Sequence, residues 1–145
     1  HAVNWLAENE GYFVDIVSYM QVTDVFKKRY MLEECIKVLL ENPNVESAFV
    51  GYIDHKNYWI KRGNNYIRLT NSGNVARQKK ELMYREDTGL GCATRVEVLR
   101  RGRRVGDRVV IIPNYDVTSF IDIHTEFDLW LAEQILKAKK RTIND

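Results

Sequence analysis

Two histidines stand beside acids, in Asp54-His55 and in Asp122-Ile123-His124, each at the end of an expected strand. If those ends meet, two imidazoles and two carboxylates can hold a divalent metal, or one acid can orient a histidine acting as a base. A plainer reading puts His55 in the polar turn Asp54-His55-Lys56-Asn57 and His124 just outside a helix cap. A metal-dependent enzyme using His55 and His124 is therefore one of three functional expectations. Cys35 and Cys92 are the only cysteines and form no CxxC pair, which argues against a structural zinc site. Each also suits a core position, and a disulfide between them stays open. Gly89-Leu90-Gly91 and Arg101-Gly102-Arg103 lack the spacing, the lysine and the hydroxyl of a phosphate loop. Ser18, Ser47, Ser72 and Ser119 have no GxSxG context. No catalytic residue is assigned, and no cofactor or resident metal is expected.

Charge gives the second expectation. Between residues 95 and 108 stand Arg95, Arg100, Arg101, Arg103, Arg104 and Arg108, against Glu97 and Asp107. Such a hairpin has the charge to contact phosphates. With Tyr58, Trp59 and Tyr66 on another hairpin, it could present a basic surface with stacking aromatics, so a nucleic-acid-binding module using Arg100, Arg101, Arg103 and Arg104 is the second reading. Arginines on the wet face of a strand pair, matched by Glu97 and Asp107, are the ordinary alternative. The whole chain, with 22 basic and 20 acidic residues, is too nearly neutral to name a partner.

The elements that must position these groups follow from periodicity. Val3, Leu6, Ala7, Val14 and Val17 mark a first helix from Ala2 to about Met20, weakened by Gly11. Thr23 or Asp24 can cap a second helix, with Leu32, Ile36, Leu39 and Leu40 on one stripe and Asn42-Pro43 at its end. Val45 to Ile53 reads as a buried strand. Tyr58-Trp59-Ile60 and Tyr66 to Leu69 flank a turn at Gly63-Asn64-Asn65. A loop at Asn71 to Asn74 and a short helix at Val75 to Arg85 follow. Thr94, Val96 and Val98 alternate as a strand does, and Arg101-Gly102-Arg103 turns into Val105 to Ile112, a central strand closed by Pro113. Val117 to Ile123 is a last strand. Thr125 and Asp128 then box the start of a final helix, which carries Phe127, Trp130, Leu131, Ile135 and Ala138 and ends in basic residues.

A chain of 145 residues is the size of one domain, so residues 1–145 are expected to fold as a single unit. No apolar run approaches a membrane span. The chain begins with His1 and no signal pattern, and it reads as a piece of a longer protein, cytoplasmic or the extracytoplasmic sensor domain of a membrane receptor.

Helix, helix, three strands, short helix, three strands, helix is an order that resembles the PAS, GAF and Cache group of sensor domains. Leu39-Leu40-Glu41-Asn42-Pro43-Asn44-Val45 running into Ala48-Phe49-Val50 is similar to the helix-to-strand entry of such sensors. Phe120, Asp122 and the stretch from Phe127 to Ile135 resemble the end of a GAF domain. The resemblance implies an α+β fold with an antiparallel sheet of five to six strands flanked by N-terminal and C-terminal helices. It also implies the first functional expectation, a sensory or regulatory module that binds a small-molecule ligand and forms a homodimer through its terminal helices. Tyr58, Trp59, Arg68 and Arg95 are its expected ligand-binding residues, with the pocket between the sheet and the 75–85 segment.

Overall fold

The computed structural model of the chain describes residues 1–70 and 76–144 and is α+β. Its spine is strand β2, Ser47–Asp54, buried from Ser47 through Gly51 as a strand covered on both faces should be. Strand β7, Val109–Asn114, runs parallel along one edge, with Ser47 opposite Val109 and Tyr52 opposite Asn114. The other edge carries two antiparallel strands end to end. Strand β6, Cys92–Arg95, lies beside Ser47–Phe49, and β5, Met83–Glu86, lies beside Gly51–Asp54. Strand β1, Ile16–Tyr19, pairs antiparallel with the far side of β6. Strands β3, Trp59–Arg62, and β4, Asn65–Arg68, form a separate two-stranded hairpin turning at Gly63, whose φ of 58° suits a residue without Cβ.

The sheet is therefore mixed, not purely antiparallel. The reason is topological. Strand β6 ends beside the start of β2, where Thr94 faces Ser47. Helix α3, Val96–Arg100, and the loop after it cross over that end of β2, and Glu46 N–H donates to Arg108 C=O at 2.8 Å. Strand β7 must then start at the same end and run the same way. Among the described residues it is also an edge strand, paired with β2 alone, and Pro113 can sit inside it for that reason.

Other boundaries move for local reasons. Helix α1 is only Ala2–Glu10, because Gly11 takes the left-handed conformation at its end and frees residues 16–19 to become a strand. Helix α2, Arg29–Glu41, starts after Lys28, since Thr23 and Asp24 are engaged with the 122–123 segment: Asp24 bridges Asp122, and Ile123 N–H donates to Thr23 C=O at 3.0 Å. The alternation of Val96 and Val98 serves α3, where both are buried. Instead of a strand, 117–123 holds a 3-10 turn at Val117–Phe120, started by Asp116 accepting from Thr118 N–H. Of the helix expected at 75–85, the described part is a single turn at Arg77–Lys79 followed by β5. Residue 75 and the loop expected at 71–74 lie outside the described residues.

The main core forms where Met31, Cys35 and Leu39 of α2 meet Ala48, Val50 and Ala93 of the sheet, with Leu90 inserted among them. Cys35 and Cys92 are buried free thiols, so they are not joined. Helix α4, Glu126–Asn144, lays Leu131, Ala132 and Ile135 over Phe26 and Ile121. Its start is boxed as expected: Asp128 accepts from Thr125 N–H at 2.8 Å, and Thr125 Oγ1 accepts from Asp128 N–H at 3.2 Å.

Leu39 is 1% exposed and its neighbour Leu40 70% exposed, although both suit one stripe by sequence. Leu39→Ala should destabilise by about 2–5 kcal/mol, whereas Leu40→Ala should change stability by no more than about 0.5 kcal/mol. Urea unfolding of the two variants checks which face of α2 meets the sheet.

Candidate functional site

Between β5 and β6 the chain leaves the sheet over Asp87–Gly91. Val50 spans the gap, accepting from Asp87 N–H at 2.9 Å and donating to Gly91 C=O at 3.0 Å. The extruded loop sends Leu90 into the core, while Thr88 and Gly89 floor a pocket of about 360 Å³. Gln21 N–H ties the loop to the chain after β1 by donating to Gly89 C=O at 2.8 Å. An interruption of this kind, next to a cleft, is a common way for a sheet to aim side chains at a site.

Asp24 dominates the pocket. It is 7% exposed, and among the described residues no group donates a hydrogen bond to its carboxylate. Lys27, the nearest candidate, donates instead to the main-chain oxygens of Gln21 and Asp24. Burial, then the nearby Asp122 and Asp87 carboxylates, push the Asp24 carboxyl up to about 6, against the opposing pull of Lys27 and Arg85. Gly89 makes this placement possible, because a Cβ there would lie 1.9 Å from Asp24 Oδ2 and 2.3 Å from Gln21 Oε1. Asp122 adds a second acid: its Oδ2 is 2.7 Å from His124 Nε2, and its Oδ1 is buried without a hydrogen-bond partner.

The remaining charges are arranged differently. Asp87 is gripped by Arg85 through two bonds of 2.7 and 2.9 Å, and Arg85 lies over the Tyr52 ring at 5.4 Å. Arg104 reaches the pocket from the loop after α3, resting 5.6 Å above the Tyr19 ring, and among the described residues it has no ion-pair partner. A buried carboxylate to which no described residue donates, beside the Asp122 carboxylate, can receive positive charge, although Arg85 and Arg104 line the same pocket. Among the described residues no group of three or more His, Cys, Asp or Glu is placed to hold a metal ion. The geometry suits an organic cation.

The residues singled out by sequence are distributed elsewhere. Tyr58, Trp59 and Arg68 share the β3–β4 hairpin, where Arg68 lies 4.9 Å above the Trp59 ring and Tyr58 Oη donates to Asp54 Oδ2 at 2.5 Å. Arg95 is apart from them on β6, donating to Leu39 C=O, Asn42 C=O and Val45 C=O at 2.6–3.1 Å and so clamping the end of α2 to the sheet. Arg101 and Arg108 converge on Glu46, whose Oε2 also accepts from the N–H groups of Asp107 and Arg108. These donors, the Arg108 amide first, hold the Glu46 carboxyl down at about 2. Arg103 pairs with Asp107 and Arg100 with Glu97. His55 borders a hollow with Tyr52 and Lys80, separate from the pocket that Asp122 lines. Asp24 and Asp122, which sequence offers as a helix cap and as a partner for His124, are the residues the pocket brings together. Asp87-Thr88-Gly89-Leu90-Gly91, with two glycines interrupting strand-forming sequence, was the available signal.

Two tests follow from these carboxylates. The folded protein disfavours ionised Asp24, so its stability falls as pH rises from the ordinary value of 3.8 through about 6. Asp24→Asn should therefore melt a few degrees above the parent at pH 7.5 and level with it at pH 3.8, by calorimetry across pH. Glu46 has the opposite sign: its contribution is present above the ordinary 4.5 and lost as pH falls toward 2. Glu46→Gln should accordingly be less stable at neutral pH and lose less stability on acidification, in the same scans.

No family model matches the chain, and comparison with curated proteins gives no match. The chemistry of the pocket is therefore what points to function.

Proposed function

We propose that this chain is a sensory or regulatory ligand-binding module whose small-molecule ligand carries an organic cation, an ammonium or amidinium group, received by Asp24 and Asp122. The observation that carries this reading is the buried Asp24 carboxylate, which lines the pocket and has no hydrogen-bond donor among the described residues. Within the chain alone its charge is destabilising. A ligand ammonium would supply both the counter-charge and up to three N–H donors to Asp24, with the Asp122 carboxylate adding to the attraction. A pocket of about 360 Å³ admits a molecule of several heavy atoms beyond that group.

A sensor must convert occupancy into a change elsewhere. The pocket joins the chain before α2, through Asp24, to the segment before α4, through Asp122. Removing the repulsion between these acids would tighten that junction. Pairing of two copies through the terminal helices belongs to the same proposal, since Trp5 of α1 and the stacked Phe127 and Trp130 of α4 are about half exposed or more. The arginine loop supports nucleic-acid binding less well, because Arg95, Arg100, Arg101, Arg103 and Arg108 already have partners within the chain.

Thermal melting with monoamines, diamines, guanidinium compounds and neutral isosteres tests the reading, since whatever binds the folded state raises its melting point. One cation class should stabilise the protein, with no effect from its neutral isostere. A ligand that binds only ionised Asp24 should gain about tenfold in affinity between pH 5 and pH 7 by titration calorimetry. The charged groups that line the pocket with Asp24 or act on it are Asp122, Asp87, Glu86, Lys27, Arg85 and Arg104. Asp24→Asn should abolish both binding and its pH dependence. Equal stabilisation by all cations, or binding that survives Asp24→Asn, would refute the assignment.

A further inference from the structure

The β3–β4 hairpin stands outside the main sheet, and seven of its eight strand residues are exposed. A two-stranded hairpin is marginal in water unless something supports one face. Its register sorts the side chains in two. On one face Tyr58, Ile60, Ile67 and Leu69 are neighbours: Ile60 is opposite Ile67, and Leu69 N–H donates to Tyr58 C=O at 2.9 Å. On the other face Trp59 is opposite Arg68 and Lys61 is opposite Tyr66, each pair in cation–π contact, at 4.9 and 5.9 Å. The six apolar and aromatic residues range from 36% exposed at Tyr58 to 66% at Tyr66.

Charge within the hairpin segment has one sign, with Asp54, which accepts from the Tyr58 hydroxyl, at its border. Between Asp54 and Glu81 the sequence has no acid, while Lys56, Lys61, Arg62, Arg68, Lys79 and Lys80 are all basic. An occupant of this surface must be anionic and must also accept aliphatic side chains. Nucleic acid meets the first requirement only: Ile60, Ile67 and Leu69 offer nothing for a base to stack on, and Trp59 already has a cation over its ring. An anionic lipid bilayer meets both. Its headgroup phosphates attract lysine and arginine, its interfacial zone favours tryptophan and tyrosine, and its acyl boundary takes isoleucine and leucine. Among the described residues no helix is long and apolar enough to cross a membrane, so such contact would be peripheral.

We propose that the β3–β4 hairpin is a membrane-surface anchor, sunk into the headgroup layer of an anionic bilayer with Tyr58, Ile60, Ile67 and Leu69 toward its acyl boundary and with Arg62, and Lys61 and Arg68 of the opposite face, among its phosphates. It places the module at a lipid surface and is independent of the ligand pocket. Each basic residue near such a surface strengthens binding by about fivefold, and the attraction decays over about 8 Å at physiological ionic strength.

The test uses the whole chain with phosphatidylcholine vesicles containing about a third phosphatidylglycerol, beside vesicles of phosphatidylcholine alone. Sedimentation should show binding to the anionic vesicles at least tenfold tighter than to the neutral ones, weakened by high salt. With Trp5→Phe and Trp130→Phe leaving Trp59 as the only tryptophan, its emission should shift to the blue on binding. Lys61→Glu with Arg62→Glu should weaken binding more than tenfold. Ile60→Ser with Ile67→Ser should reduce both the binding and the shift. These residues lie outside the core clusters, so melting points should stay near the parent's; if the charge reversal unfolds the chain, Lys61→Gln with Arg62→Gln replaces it. No vesicle binding, binding indifferent to these variants, or preference for an oligonucleotide or an acidic peptide over the vesicles would overturn the proposal. Asp24→Asn should bind vesicles as the parent does, so failure here and failure of the ligand pocket are distinguishable.

Discussion

The two backbone hydrogen bonds of Val50 hold together what would otherwise be a torn sheet. Strand β2 needs an antiparallel neighbour along its whole length, yet that neighbour is broken over Asp87–Gly91. By accepting from Asp87 and donating to Gly91, Val50 keeps its own polar groups satisfied while the intervening residues are pushed out. Two consequences follow from one constraint. Leu90 enters the core beside Val50 and Ala93, fixing the loop from within. Thr88 and Gly89 are thereby held as a rigid floor, and the missing side chain of Gly89 becomes the space that the Asp24 carboxylate fills. The pocket depends on this break in the sheet.

Glu46 plays the corresponding part at the other end of β2. The crossing from β6 to β7 is a loop full of arginines, and like charges in a short loop repel. Placing one buried acid at the start of β2, with two arginines and two main-chain N–H groups directed at it, turns that repulsion into an anchor. Gly106 permits the close approach, since a Cβ there would meet Glu46 Cβ at 2.5 Å. The arginines thus serve mainly the topology, and the run of basic residues in the sequence overstates how much positive charge is available to a partner. Arg104 is the exception, turned toward Tyr19 and the pocket.

Local chemistry was legible where local interactions decide the outcome. The box of Thr125 and Asp128, the turn at Gly63, the end of α2 at Asn42 and the buried run of β2 depend on neighbours in sequence, and each could be read directly. The mixed sheet could not be read that way, because whether β7 is parallel is set by where the loop after α3 crosses. Residues 16–19 and 96–98 were misread for a related reason: short apolar stretches fit a helix or a strand, and only their partners choose. Asp24 shows the same limit for chemistry. As an acid ahead of a helix it reads as a cap; it becomes a candidate site because Asp122, remote in sequence, is bridged to it.

Glu46 and Asp24 show two opposite fates of a buried acid in this fold. Both are acids less than a tenth exposed. Glu46 is surrounded by donors and held near 2, so its charge is already answered by the protein. Asp24 has no donor among the described residues, and burial with the Asp122 and Asp87 carboxylates outweighs Lys27 and Arg85 to hold it near 6. A fold able to satisfy one buried acid so fully gains nothing in stability from leaving another exposed to like charge. The unanswered carboxylate lines the pocket above Gly89, and it is this electrostatic cost, left in place beside a cleft, that the proposed ligand would remove.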